Sequence, residues 1–116
     1  MNPEVVHKLR LITIEELLEM KANAVPFTLV DTLPSETYKK GHIPGAVNTP
    51  SDTIAQEADD KLDKNDTLVT YCAGYTCEAS TVAARKLLDL GYERVLDFKG
   101  GKQAWQGGGF ELEGEQ

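Results

Sequence analysis

Apolar and polar positions alternate along this chain in two rhythms, one helical and one extended. Thr13 with Glu16 three residues later matches a capping box, and Ile14, Leu17 and Leu18 then share one side of a helical period. A helix is predicted from there to about Lys21, ahead of a break at 23–26. Phe27, Thr28, Leu29 and Val30 form a short β-prone run ending at Asp31, and Pro34 suits the first turn of a brief helix. Gly41, His42, Ile43, Pro44 and Gly45 compose a turn, and Ala46, Val47 and Asn48 a very short strand. Ser51 is the expected cap of a helix carrying Ile54, Ala55, Ala58 and Leu62. After a turn at 64–66, residues 67–71 read as the central strand.

Beyond that strand, Ala79, Val82, Ala83, Leu87 and Leu90 recur at helical spacing, and Gly91 is a natural stop. Residues 94–98 give another strand, followed by Gly100, Gly101 and a helix through Ala104 and Trp105. From Gly107 the chain is rich in Gly and Glu and is expected to pack loosely or fray. Strands alternating with helices predict an α/β domain with a mostly parallel sheet. No internal repeat or linker interrupts the pattern.

Chemistry concentrates where the central strand meets its helix. Cys72 ends the strand, and Ala73, Gly74, Tyr75, Thr76, Cys77 and Glu78 separate it from the helix beginning near Ala79 and Ser80. Open α/β sheets bind ligands at the C-terminal ends of their strands. Backbone N–H groups and the positive end of a helix dipole favour a thiolate and hold anions. A glycine lets the backbone curl around a sulfur atom. Residues 73–78 therefore read as a substrate-binding loop whose N–H groups seat a reactive thiolate at Cys72.

Composition narrows the classes. At 116 residues the chain suits one domain. Its net charge of −7, from 12 basic and 19 acidic residues, argues against nucleic acid or anionic lipid as a partner. No segment approaches the roughly 18–20 apolar residues of a membrane span. The first eight residues lack the pattern of a signal peptide, so a cytoplasmic protein is expected. Two cysteines five residues apart make no disulfide framework and more plausibly carry chemistry. A zinc site on that pair needs two more ligands, and His7 and His42 are the only histidines, so no metal is expected.

Three motifs together resemble a known family: Ser80-x-x-Ala83-Ala84-x-x-Leu87-x-x-x-Gly91-Tyr92, Gly41-His42-Ile43-Pro44-Gly45-Ala46, and Gly100-Gly101-x-x-x-Trp105. Their order along the chain and their spacing resemble the rhodanese domain from about Ile12 to Glu113. The resemblance implies a single domain at 12–113, between an N-terminal segment at 1–11 and a tail at 114–116. It implies a central, mostly parallel five-stranded sheet with helices on both faces, and sulfane sulfur carried as a persulfide on Cys72. The implied activity is sulfur transfer, from thiosulfate or a persulfide or polysulfide donor to a thiol or cyanide acceptor. No cofactor is called for. Partners would be small sulfur compounds or protein persulfides and thiols, and the chain a monomer or homodimer.

The chain departs from the family pattern twice. Leu33 stands where an arginine usually follows the aspartate, and the loop after Cys72 is two residues longer than common and lacks its arginine. Cys77 and Glu78 lie there instead. Cys77 is either a resolving thiol that attacks the Cys72 persulfide or an inert side chain at the helix base. Asp31 is read as a loop-fixing acceptor and His42 as a turn-holding group, both structural supports. Trp105 is read as core. A cysteine phosphatase or arsenate reductase would need a loop arginine, and no Arg or Lys occurs between Cys72 and Ala84. A thiol–disulfide or persulfide reductase using both cysteines, and a non-catalytic binding module, are the remaining alternatives.

Overall fold

Five short strands share one sheet in the computed structural model, which describes residues 9–115. The N-terminal residues up to 8, His7 among them, and Gln116 lie outside the described residues. The strands are β1 (Arg10–Ile12), β2 (Thr28–Asp31), β3 (Val47–Asn48), β4 (Leu68–Tyr71) and β5 (Val95–Phe98). Between and after them come α1 (Ile14–Ala22), α2 (Ser35–Lys40), α3 (Ile54–Lys61), α4 (Ala79–Asp89) and α5 (Gly101–Gly107). The sheet order is β1-β5-β4-β2-β3. Every pairing is parallel, so the sheet is wholly and not merely mostly parallel.

Strand alternation sorts the core into two layers. Val30, Leu68 and Val95 face α3 and α4, where they meet Ile54, Ala58, Ala83, Leu87 and Tyr92. Their neighbours Leu29, Val69, Tyr71 and Phe98 face the other way, against Leu17 of α1 and Trp105 of α5. Central β4 is buried along its whole length, as a strand covered by helices on both faces must be.

The helix ends follow local chemistry. Thr13 and Glu16 form the full capping box at α1, with Glu16 N–H donating to Thr13 Oγ1 at 3.1 Å and Thr13 N–H returning to Glu16 Oε1 at 3.1 Å. At the end of α4, Gly91 takes φ +97°. Tyr92 N–H then reaches Leu87 O at 3.0 Å and Gly91 N–H reaches Leu88 O at 3.1 Å, a Schellman closure.

Several local expectations are corrected. Thr53, not Ser51, precedes α3, because Ser51 N–H is drawn to Thr32 O at 2.9 Å and holds the chain beside the end of β2. The buried face of α4 is Ser80, Ala83, Ala84, Leu87 and Leu88, whereas Val82 and Leu90 are exposed. Strand β1 carries no alternation of its own, being a three-residue edge strand with only Ile12 buried. The C-terminal stretch is almost wholly exposed, as loose packing would have it, yet hydrogen bonds anchor it. Trp105 Nε1–H donates to Glu111 O at 2.9 Å, and His42 and Glu113 exchange backbone hydrogen bonds of 2.8 and 2.9 Å.

Candidate active site

Cys72 immediately follows β4 and is fully buried. Its carbonyl accepts from Lys102 N–H at 3.0 Å, and the carbonyl of Ala73 accepts from Gln103 N–H at 2.9 Å. The first turn of α5 is thereby tied to the start of the loop. This approach is open only to glycine at position 101, where φ is +52° and an added Cβ would collide with Cys72 O. Gly74 is less confined, since a side chain there would meet the flexible side chain of Gln103 and not backbone.

Past Gly74 the loop turns back. Cys77 N–H donates to Gly74 O at 3.0 Å, which brings Cys77 beneath Cys72 with 6.3 Å between their Cα atoms. The two sulfurs are joined as a disulfide. Ser80 N–H, in the first turn of α4, is aimed at Cys72 Sγ at 3.4 Å. This donor lies just beyond the 73–78 segment from which the sequence reading drew its anion-binding N–H groups. Ser80 Oγ is buried without a hydrogen-bond partner. Of the remaining loop positions, Tyr75 is exposed and an added Cβ at Gly100 would lie 3.0 Å from its hydroxyl.

One cation at this loop was missed from sequence. Lys99 Nζ donates to Cys77 O at 2.6 Å and to Thr81 Oγ1 at 3.2 Å, and stands 3.8 Å from Glu78 Oε2. Thr81 in turn donates to buried Asp97 Oδ2 at 2.7 Å. Asp97 and Lys99 are two residues apart, so strand alternation sends both toward the start of α4. That parity was the only signal available in the sequence.

The expected supports lie at the end of β2 and in the turn after α2. Buried Asp31 accepts from Leu33 N–H through Oδ1 at 2.9 Å and from the Tyr71 hydroxyl through Oδ2 at 2.8 Å. Burial pushes its carboxyl above the usual range, opposed by those two donors and by Lys102 and His42. Burial, with Asp31 beside it, likewise drives the Tyr71 phenol far upward, so it stays a neutral donor. His42 sits apart from the cysteines. Its ring stacks on Tyr38 with centroids 3.8 Å apart, Nδ1–H donates to Tyr38 O at 2.8 Å, and Nε2 lies 3.4 Å from Glu113 Oε1.

This arrangement has counterparts among known proteins. The family model of the rhodanese-like domain matches residues 13–107. The HTH-type transcriptional regulator Rv0324 of Mycobacterium tuberculosis is 36% identical over 102 residues, covering 88% of this chain and 44% of that protein. The adenylyltransferase and sulfurtransferase UBA4 of Meyerozyma guilliermondii is 35% identical over 83 residues, covering 66% and 19%. A putative sulfur carrier protein of Bacillus subtilis, YrkF, is 27% identical over 96 residues, covering 83% and 50%. The chain thus spans half or less of the length of these relatives. Among solved structures, the rhodanese-like domain of the Anabaena protein Alr3790 superimposes with a TM-score of 0.81 at 30% identity, covering 93% of this chain and 81% of that one. A rhodanese-like domain protein from Staphylococcus aureus gives 0.77 at 29% identity, covering 93% and 100%. With its five-stranded parallel sheet and the matched span of 13–107, the chain belongs to the rhodanese-like domain family.

Proposed function

We propose that the domain is a sulfurtransferase that carries sulfane sulfur on Cys72. The observation that carries this reading is a buried thiol position at the C-terminal end of the central strand, with the Ser80 N–H directed at its sulfur. Relatives named as a sulfurtransferase and a putative sulfur carrier support it. In the first half-reaction the Cys72 thiolate attacks the outer sulfur of a donor. With thiosulfate, the donor S–S bond breaks, sulfite leaves with the electron pair, and Cys72 holds the persulfide. In the second, an acceptor thiolate or cyanide attacks that outer sulfur and Cys72 leaves as thiolate. This is ping-pong covalent catalysis and uses only the chain's own groups. The loop lacks the guanidinium that a cysteine phosphatase needs for its dianion.

A second route is favoured by the bond between Cys72 and Cys77. The Cys77 thiolate attacks Cys72 Sγ, the inner sulfur of the persulfide, and hydrosulfide leaves with the electron pair. The cysteines are oxidised to a disulfide and the sulfane sulfur is reduced to sulfide. An external thiol must then reopen the pair. The domain would in that case act as a persulfide reductase.

Intact mass spectrometry of the reduced protein tests both routes, after exposure in turn to thiosulfate, polysulfide and glutathione persulfide. A gain of one sulfur atom located on Cys72 supports the transferase reading, and no gain from any donor overturns it. Loss of two hydrogens with release of hydrosulfide supports the reductase route.

A further inference from the structure

We infer that Lys99 is a positioning residue for Cys72, supplying from the end of β5 the cation that the loop itself lacks. The inference rests on the sulfur-transfer reading only for its consequence on turnover; its geometric basis stands apart. Among the described residues, Lys99 is the one cation hydrogen-bonded to the 73–78 loop.

One carbonyl oxygen carries the argument. Cys77 O lies 3.4 Å from Cys72 Sγ and accepts from Lys99 Nζ at 2.6 Å. Sharing that oxygen, the ammonium and the sulfur are separated by no more than about 6 Å, the range in which an opposite charge favours an ionised group. A bare carbonyl would present partial negative charge to Cys72 and disfavour a thiolate or a persulfide anion. The ammonium neutralises that oxygen and leaves a net positive field behind it.

Lys99 is held for this task. Its side chain is only 21% exposed, and Thr81 Oγ1, itself anchored on Asp97, takes a second ammonium proton. Other charged or titratable groups lie on the elements packed around Cys72, among them buried Asp31 at the end of β2, the Cα partner of Tyr71. Glu78 on the loop and Asp97 on β5 oppose the effect of Lys99. On α5, Lys102 gives its ammonium to Gly41 O at 3.1 Å and is engaged elsewhere. Tyr75 lies over Gly100. Lys99 is therefore the cation bonded to the oxygen that faces Cys72 Sγ.

The test measures alkylation of Cys72 by iodoacetamide as a function of pH, in a Cys77→Ser background where Cys72 is the sole thiol. Lys99→Met is expected to move the midpoint of that profile up by about one pH unit. Lys99→Arg should restore most of the shift, and Glu78→Gln should move the midpoint down. Sulfur loading from thiosulfate near neutral pH should fall about tenfold in Lys99→Met, with a smaller loss at high salt. An unchanged midpoint in folded Lys99→Met overturns the inference. Where that variant does not fold, Lys99→Gln compared with Lys99→Arg decides in the same way. A midpoint that depends on Lys99 in a protein loading no sulfur from any donor keeps this inference and sinks the transferase reading.

Discussion

Tyr71 and Asp31 are Cα partners in the parallel β2–β4 ladder, and their side chains meet again through a 2.8 Å hydrogen bond from the Tyr71 hydroxyl to Asp31 Oδ2. The same hydroxyl accepts from Ile43 N–H at 2.9 Å. The residue just before Cys72 therefore joins the end of β2 to the turn at 41–45. Tyr71→Phe should strand a buried N–H and remove a donor from a buried carboxylate, costing about 2–3 kcal/mol. Urea unfolding measures this, and a loss below about 0.5 kcal/mol would show that water replaces the hydroxyl.

Asp31 sets a pH dependence whose sign follows from its burial. The carboxyl is raised above its ordinary value of 3.8 in the folded chain. The folded state then keeps this proton to higher pH than the unfolded state does, so stability from this group is complete below the ordinary value and is lost as pH rises through the raised one. The stability difference between wild type and Asp31→Asn should decline over that window. A rising difference would mean that the hydrogen bonds from Leu33 and Tyr71 outweigh burial.

Cys72→Ser should abolish sulfur loading while leaving the melting temperature within a few degrees of the reduced wild type. A hydroxyl is a far poorer nucleophile and cannot carry sulfane sulfur. Retention of more than a few per cent of activity removes Cys72 from the chemistry.

Cys77 is tested by counting. If it resolves the persulfide, hydrosulfide should be released once per chain without added thiol, leaving the Cys72–Cys77 disulfide. Cys77→Ser should stop that release and leave the persulfide intact. Peptide mapping that finds two free thiols after wild-type turnover assigns Cys77 a structural role only.

Donor choice responds to loop charge. Glu78→Arg changes the field near the sulfur by two charges, each worth roughly 3 kcal/mol against a unit charge at about 6 Å and an effective dielectric near 20. The Glu78 side chain is 77% exposed, so screening reduces this to about 1 kcal/mol. Thiosulfate kcat/KM should rise roughly fivefold to tenfold, less at high salt, with little change for a neutral persulfide. An unchanged value would show that loop charge does not set donor preference.

The layered sheet was legible because each central strand is a contiguous apolar run with its own turn signals. The Cys72 loop was legible for the same reason: strand end, Gly74 and helix start lie within a dozen residues. What escaped depends on contacts distant in sequence. Lys99 meets Cys77 across 22 residues, and the C-terminal stretch is fixed by Trp105 and by His42. The α4 face was misjudged at Val82 and Leu90 because Ser80, a polar residue, occupies the inward position above Cys72. A hydrophobicity pattern gives a buried serine no weight.

The ties from Lys102 and Gln103 to the carbonyls of Cys72 and Ala73 divide the loop into unequal parts. Its first two peptide units are clamped to α5, so the height of the sulfur above the sheet is inherited from a neighbouring helix. Residues 75–78 carry no such constraint from α5 in the backbone. Extra length or a reversed charge can be accommodated there without breaking those ties. Donor chemistry is thus free to drift in one half of the loop while the other half keeps the reacting atom in place.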